Sequence, residues 1–227
     1  MATAPPIDWF PLRLSLEVAT LATFLSLLVG LGLAWLLTNR NFRGKNAVDA
    51  LATLPLALPP TVLGYFLLVT LGRDSWIGKL WETMTGSPLV FTWRAAVIAS
   101  TLHAIPLLFK SSRAALESVD TASERAARSL GGSEWRVFWH VSLPMARRPV
   151  LAATALAFAR SLGDFGATLM IAGDIPGRTQ TAAVAIFDAV ESGNTHTARV
   201  LVLVVAATTA LIVYAANRLE RSTGGER

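Results

Sequence analysis

Long uncharged apolar runs alternate with polar segments along this chain, and one polar segment is far longer than the rest. Glu17 and Arg40 enclose about 22 uncharged residues, enough to cross a ~30 Å hydrocarbon core at ~1.5 Å of rise per residue. Asp49 to Arg73 encloses about 23, Arg94 to Lys110 about 15 and Arg199 to Arg218 about 18. Pro149 to Gly173 spans about 25 residues but carries Arg160 and Asp164 inside it. The short third run gains length from Trp93 and the Lys110 stem, because aromatic and long basic side chains sit at the membrane interface. The pattern predicts five membrane-spanning helices.

Within these runs the residue types add detail. Pro55, Pro59 and Pro60 fall in the second span, where each proline removes a backbone donor and bends a helix. Such breaks are tolerated in a membrane only where protein or a water-filled cavity meets the freed carbonyls, so this span is expected to be bent and to face the bundle centre. A helix that begins at Pro60 after a re-entrant turn is the alternative. Ser26, Gly30 and Ala34 follow small-xxx-small spacing, which permits close helix packing. Ala182–Val190 is apolar but too short to span, and is expected to lie as a helix at the membrane surface.

The long polar segment runs from Lys110 to Arg148. Leu116, Val119, Ala122, Ala126, Ala127 and Leu130 form a weak apolar stripe near helical period, and Gly131-Gly132 ends it as a turn. Ser133-Glu134 can start a second helix, which Pro144 is expected to end. The small residues Ala126, Ala127 and Gly131 allow another surface to approach the backbone closely. Arg125, Arg128 and Arg136 could meet carboxylates there. A solvated loop without a partner fits the same residues, and periodicity does not separate the two readings.

Composition agrees with a membrane chain: 53% of the residues are hydrophobic and 15% charged, against about 25% charged in soluble domains. The net charge of +5 reads as basic loops on one membrane side rather than as a nucleic-acid surface. Five spans place thirteen of the 20 Lys and Arg residues on one side: Arg40, Arg43, Lys45, Lys110, Arg113, Arg125, Arg128, Arg136, Arg147, Arg148, Arg218, Arg221 and Arg227. Six lie on the other: Arg13, Arg73, Lys79, Arg94, Arg178 and Arg199. The polar segment and the C-terminus are therefore expected in the cytoplasm and the N-terminus outside. The first apolar run is too long for a signal-peptide core and is expected to remain in the mature protein. The absence of Cys excludes disulfides and thiolate metal sites. No glycine stands at the Walker A distance before Gly44-Lys45, so the chain carries no phosphate-binding loop. His103, His140 and His196 are widely spaced with no acidic partner at ligand spacing, and no metal site is expected.

Arg160 and Asp164 are the chemistry inside the membrane. Such charges cost roughly 2.5–3.5 kcal/mol on insertion scales and usually face the bundle interior. Four residues apart on a continuous helix, they share a face and can pair. One reading is a self-neutralising structural pair. The other is that Arg160, with Ser161, Thr168 and the kink prolines Pro59 and Pro60, lines a path for an oxyanion, with Asp164 balancing the resting Arg.

Ala126, Ala127, Gly131, Val141, Leu143 and Pro144, at their spacing, resemble the cytoplasmic EAA loop of ABC importer permeases. Arg125 stands where that family has Glu, with Glu124 one residue earlier. The resemblance implies a coupling helix docked in a groove of an ATP-binding subunit, carried by Glu124, Ala126, Ala127, Gly131, Leu143 and Pro144. Phe158–Ala167, followed by Ile175–Thr179, is similar to the permease subunits of bacterial molybdate importers. Sulfate permeases share much of it, usually with Glu at the position of Asp164. Thr53–Gly64 belongs to the same likeness, which covers the chain from about Trp9 to Arg221.

The resemblance implies an all-α, polytopic bundle of the type I ABC importer permease (MetI-like) fold. It implies a single domain over 1–227, with a coupling region at about 111–147. It also implies a homodimer in the bacterial inner membrane, two ATP-binding cassette subunits, a periplasmic molybdate-binding protein, no nucleic acid and no cofactor on this chain. ATP is spent by the partner subunits, and the chain is no enzyme. A sulfate, thiosulfate or tungstate permease is the alternative within the family, and an integral-membrane enzyme the alternative outside it.

Overall fold

The computed structural model describes residues 7–221, and their secondary structure is all helical. Helix α1 (Phe10–Asn39) and helix α5 (Trp93–Glu117) form the central pair. Their approach is set by the small-residue stripe, in which Ser26, Gly30 and Ala34 are all buried. A Cβ added at Gly30 would stand 3.0 Å from both Leu108 Cβ and the Phe109 amide nitrogen, so a larger residue there would push the two helices apart by a few tenths of an ångström.

The second apolar run is two helices, α2 (Lys45–Ala57) and α3 (Pro60–Leu71), bent by 114° at Leu58-Pro59. Pro55 stays inside α2, and the break comes where two consecutive prolines remove adjacent donors. This is sharper than a kinked span and matches the alternative of a helix starting at Pro60. The fourth run is also broken. Helix α8 (Leu143–Leu162) ends at Gly163, and α9 (Gly166–Ala172) leaves at 56° to it. Among the described residues three helices are long and apolar enough to span, or up to five if each bent pair counts as one. The third is α11 (Thr195–Arg221), whose spanning part is Thr195–Ala216.

The short elements complete the bundle. Helix α4 (Trp76–Thr85) starts at Ser75, whose side chain accepts from the Gly78 amide. Helix α10 (Ala182–Glu191) forms where the short apolar stretch predicted one, and its Ala182 amide donates to Ser15 Oγ of α1 at 2.7 Å. The polar segment departs from the expected helix–turn–helix. Helix α5 runs on to Glu117, α6 (Thr121–Ser129) follows a short turn, and α7 (Glu134–Val137) passes through a π-helical turn, Phe138–Ser142, into α8. Pro144 therefore does not end a helix. It sits in the first turn of α8, where a missing N–H costs little, just after the wider turn has reset the hydrogen-bond register.

Apolar packing forms three clusters along the bundle. One, where α1 begins, joins Leu14 and Val18 to Leu63, Leu67, Val97 and Ile171. Another, beside the polar segment, joins Leu37, Phe109, Leu116, Phe138 and Val150. The small third cluster is Ala104, Leu108, Ala153 and Ala157. Broad rows of exposed Leu, Val, Phe and Tyr on α1, α3 and α11 leave an apolar outside, as lipid requires.

Candidate functional site

The polar segment is built as a braced projection. Asp120 caps α6, accepting from the Ala122 amide at 3.0 Å and the Ser123 amide at 3.1 Å, with the Ser123 hydroxyl at 2.9 Å. These bonds, the Ala122 amide foremost, hold the Asp120 carboxyl below its usual range. Gly131 then turns the chain at φ +87°, a conformation side-chain-bearing residues rarely adopt.

Glu124 faces inward. One of its oxygens accepts from the buried Ser142 hydroxyl at 2.6 Å and the other from Arg128 at 3.2 Å. Arg128 also reaches Glu134 through two bonds, at 2.8 and 3.1 Å. This pairing with Arg128 depresses the Glu134 carboxyl and raises the Arg128 guanidinium. Arg128 is thus spent inside the segment and is not offered to a partner, contrary to the expectation from its sequence. Arg125, Ala126, Ser129 and Leu130 form the open face of α6 and the turn after it, and Leu130 is 89% exposed.

The brace continues into the bundle. Trp135 of α7, Phe138 of the π turn and Trp35 of α1 pack with ring centroids 5.8–6.0 Å apart, joining the end of the polar segment to α1. Asp49 of α2 meets Arg113 of α5 at 3.4 Å, tying the first broken pair to the same end.

The second constellation lies in the apolar part of the bundle, where the two broken helices meet. A Cβ added at Gly166 would touch Pro60 Cβ at 3.1 Å, and one at Gly64 would come within 2.6 Å of Met170 Cβ. The two breaks are therefore stacked, with α3 laid against α9. Gly163 ends α8, so Asp164 sits in the break rather than on the helical face below Arg160. Its carboxylate turns inward to α5. Asp164 Oδ1 lies 2.9 Å from His103 Nδ1, while Oδ2 accepts from Thr168 Oγ1 at 2.5 Å and Ser100 Oγ at 3.3 Å. His103 Nε2 lies 2.9 Å from Nη2 of Arg160. The His103 and Asp164 side chains are 5% and 4% exposed, whereas Arg160 is exposed on the chain surface.

The chain of contacts is therefore Arg160–His103–Asp164, not a direct ion pair. A buried carboxylate without partners would be strongly destabilising; three donors satisfy this one. Arg160 keeps one bond to a histidine nitrogen and meets no carboxylate in the ion pairs among the described residues.

Comparison with known proteins places this architecture. The family model described as "Binding-protein-dependent transport system inner membrane component" matches residues 26–222. The chain belongs to that family. The permease is 42% identical over 201 residues to the molybdenum transport system permease protein ModB of Escherichia coli K12, covering 88% of each chain. It is 44% identical over 185 residues, 81% of each chain, to a putative molybdenum transport permease, YvgM, of Bacillus subtilis. The sulfate transport permease CysT of Escherichia coli K12 is 31% identical over 212 residues, covering 93% of this chain and 76% of CysT. Among solved structures, the inward-facing MetNI methionine ABC transporter matches with TM-score 0.71 at 19% identity, covering 94% of this chain and 96% of that one. A bacterial alginate ABC transporter matches at 0.73 and 15%, covering 95% and 79%. These two likenesses show the fold.

In the permease, the residues singled out in the polar segment fall into two groups. Arg125, Ala126, Gly131 and Pro144 are exposed, while Glu124 and Leu143 serve the brace and the apolar cluster beneath it. Of the intramembrane set, Arg160, Pro59 and Pro60 are exposed, and Ser161, Asp164 and Thr168 are buried. The Thr168 hydroxyl is committed to Asp164. His103 was missed as a partner, because the sequence shows Asp164 no closer than 61 residues away. The available signal was a titratable residue midway along an otherwise uncharged span.

Proposed function

We propose that this permease, as a pair of identical subunits in the bacterial inner membrane, imports molybdate with energy from two ATP-binding cassette subunits. A periplasmic molybdate-binding protein delivers the anion at the end where α1 begins. The ATP-binding subunits dock on the open face of α6, in the cytoplasm. Greater identity to molybdenum permeases than to the sulfate permease supports molybdate over sulfate. The family's dependence on binding proteins supports the delivery step.

Transport here makes and breaks no covalent bonds. Closure of the ATP-binding subunits moves α6, and the Glu124–Ser142 and Arg128–Glu134 contacts carry that motion into α8. Trp135 and Phe138 carry it into α1. Arg160 rides on α8, two residues before it ends, so the same motion repositions its guanidinium. The chain binds no cofactor; ATP belongs to its partners.

The observation that carries the oxyanion reading is Arg160. Its charge is exposed in the apolar part of the bundle, and Asp164 is occupied by His103 and Thr168 instead of by Arg160. A cation placed so has donors left for an anion, and the stacked breaks at Pro59-Pro60 and Gly163–Gly166 give the only interrupted backbone nearby among the described spans. Arg160→Ala, reconstituted in liposomes with all partners, is expected to lose ATP-driven uptake at least tenfold, on the order of 1.4 kcal/mol or more. Uptake at the normal rate would remove Arg160 from the pathway and leave it a structural residue.

A further inference from the structure

The bonds of His103 are chemically restrictive. A carboxylate only accepts, so the 2.9 Å contact with Asp164 Oδ1 requires a proton on Nδ1. A guanidinium only donates, so the 2.9 Å contact with Arg160 requires a bare lone pair on Nε2. Both partners thus select one neutral tautomer. A second proton on His103 would set N–H against N–H at Nε2, and the Arg160 contact would have to break.

The surroundings leave few competitors. Helix α8 contributes Arg160, the break contributes Asp164, α9 contributes Thr168 and α5 itself contributes Ser100. The ionisable residues of α1, Arg13 and Glu17, pair with each other at 2.8 Å near its start. Those of α2 and the far end of α5 pair through Asp49, Lys110 and Arg113.

We propose that His103 is the positioning residue of Arg160. Asp164 fixes the ring and its tautomer, and Nε2 holds one corner of the guanidinium so that its remaining donors face the transported oxyanion. Neutral His103 does this without cancelling the charge of Arg160, which a carboxylate in the same place would do. This rests on Arg160 being an anion contact.

The test uses the complete transporter in proteoliposomes, with molybdate as the probe, and follows uptake over a range of molybdate concentrations. His103→Gln retains an acceptor for Arg160, whereas His103→Leu fills similar space without one. His103→Leu is expected to lower uptake several-fold and to weaken its dependence on molybdate, and His103→Gln to recover part of that loss. Arg160→Ala is expected to lose uptake at every molybdate concentration. Loss in Arg160→Ala with unaltered uptake in His103→Leu, or equal loss in His103→Leu and His103→Gln, would overturn the positioning role alone. Normal uptake in Arg160→Ala would overturn the anion contact beneath it. A second readout needs no variant to assemble: nitrogen-15 spectra of histidine-labelled permease in lipid. They are expected to show His103 protonated at Nδ1 and bare at Nε2 when neutral; the opposite tautomer would overturn the proposal.

Discussion

At the scale of single residues, the acid on α6 acts differently from what its neighbours suggest. Glu124 is a brace, half-buried against Ser142 and Arg128, while Arg125 beside it is exposed. Glu124→Ala would strand a buried hydroxyl and half of the Arg128 pairing, at a cost of about 1–3 kcal/mol. Thermal unfolding of the purified permease should show a lower Tm for Glu124→Ala and no change for Arg125→Ala; equal effects would contradict the brace. The neighbouring Glu134 has its carboxyl depressed by Arg128. Its contribution is present above the ordinary glutamate range and is lost as pH falls through the lowered value. Glu134→Gln should remove that part of the acid sensitivity of the α6–α7 turn. Sequence alone marked Arg160 and Asp164, because charges in an apolar run are conspicuous. It misjudged their relation, since four-residue spacing implies a shared face only on an unbroken helix, and Gly163 breaks this one.

At the scale of elements, breaks matter more than spans. The consecutive prolines at 59 and 60 announced the first break, and a 3.6-residue period could place the helices on either side. The second break was hidden. Gly163 is a single glycine in an apolar run, and its meaning comes from Pro60 and Thr61 pressing on Gly166 from another helix. The π turn before Pro144 was equally illegible, because it is a change of hydrogen-bond register rather than of composition. Packing at the breaks can be probed with one methyl group. Gly64→Ala would place its Cβ 2.6 Å from Met170 Cβ, and should lower stability by about 1–3 kcal/mol through overpacking. Gly32→Ala, with no atom within 4 Å of the added carbon, should leave Tm unchanged or raise it slightly. Equal effects of the two in thermal unfolding would mean that α3 and α9 are not in contact in the membrane.

At the scale of the whole molecule, hydropathy and charge carried most of the architecture. Five apolar runs became three continuous helices and two bent pairs, and the long polar segment became the projecting α6. What sequence could not give is the route from that projection to Arg160, which depends on contacts between residues far apart in the chain. The proposed topology is open to direct test because the chain contains no Cys. A single Ser129→Cys on α6 should react with a membrane-impermeant thiol reagent only from the cytoplasmic side, and Ser192→Cys after α10 only from outside. The reverse pattern would invert the direction of coupling. The most direct measurement is uptake of labelled molybdate into proteoliposomes holding the permease, its ATP-binding subunits and the binding protein. Accumulation against a gradient that requires ATP and resists excess sulfate is expected; equal accumulation without ATP, or displacement by sulfate, would contradict an ATP-driven molybdate importer.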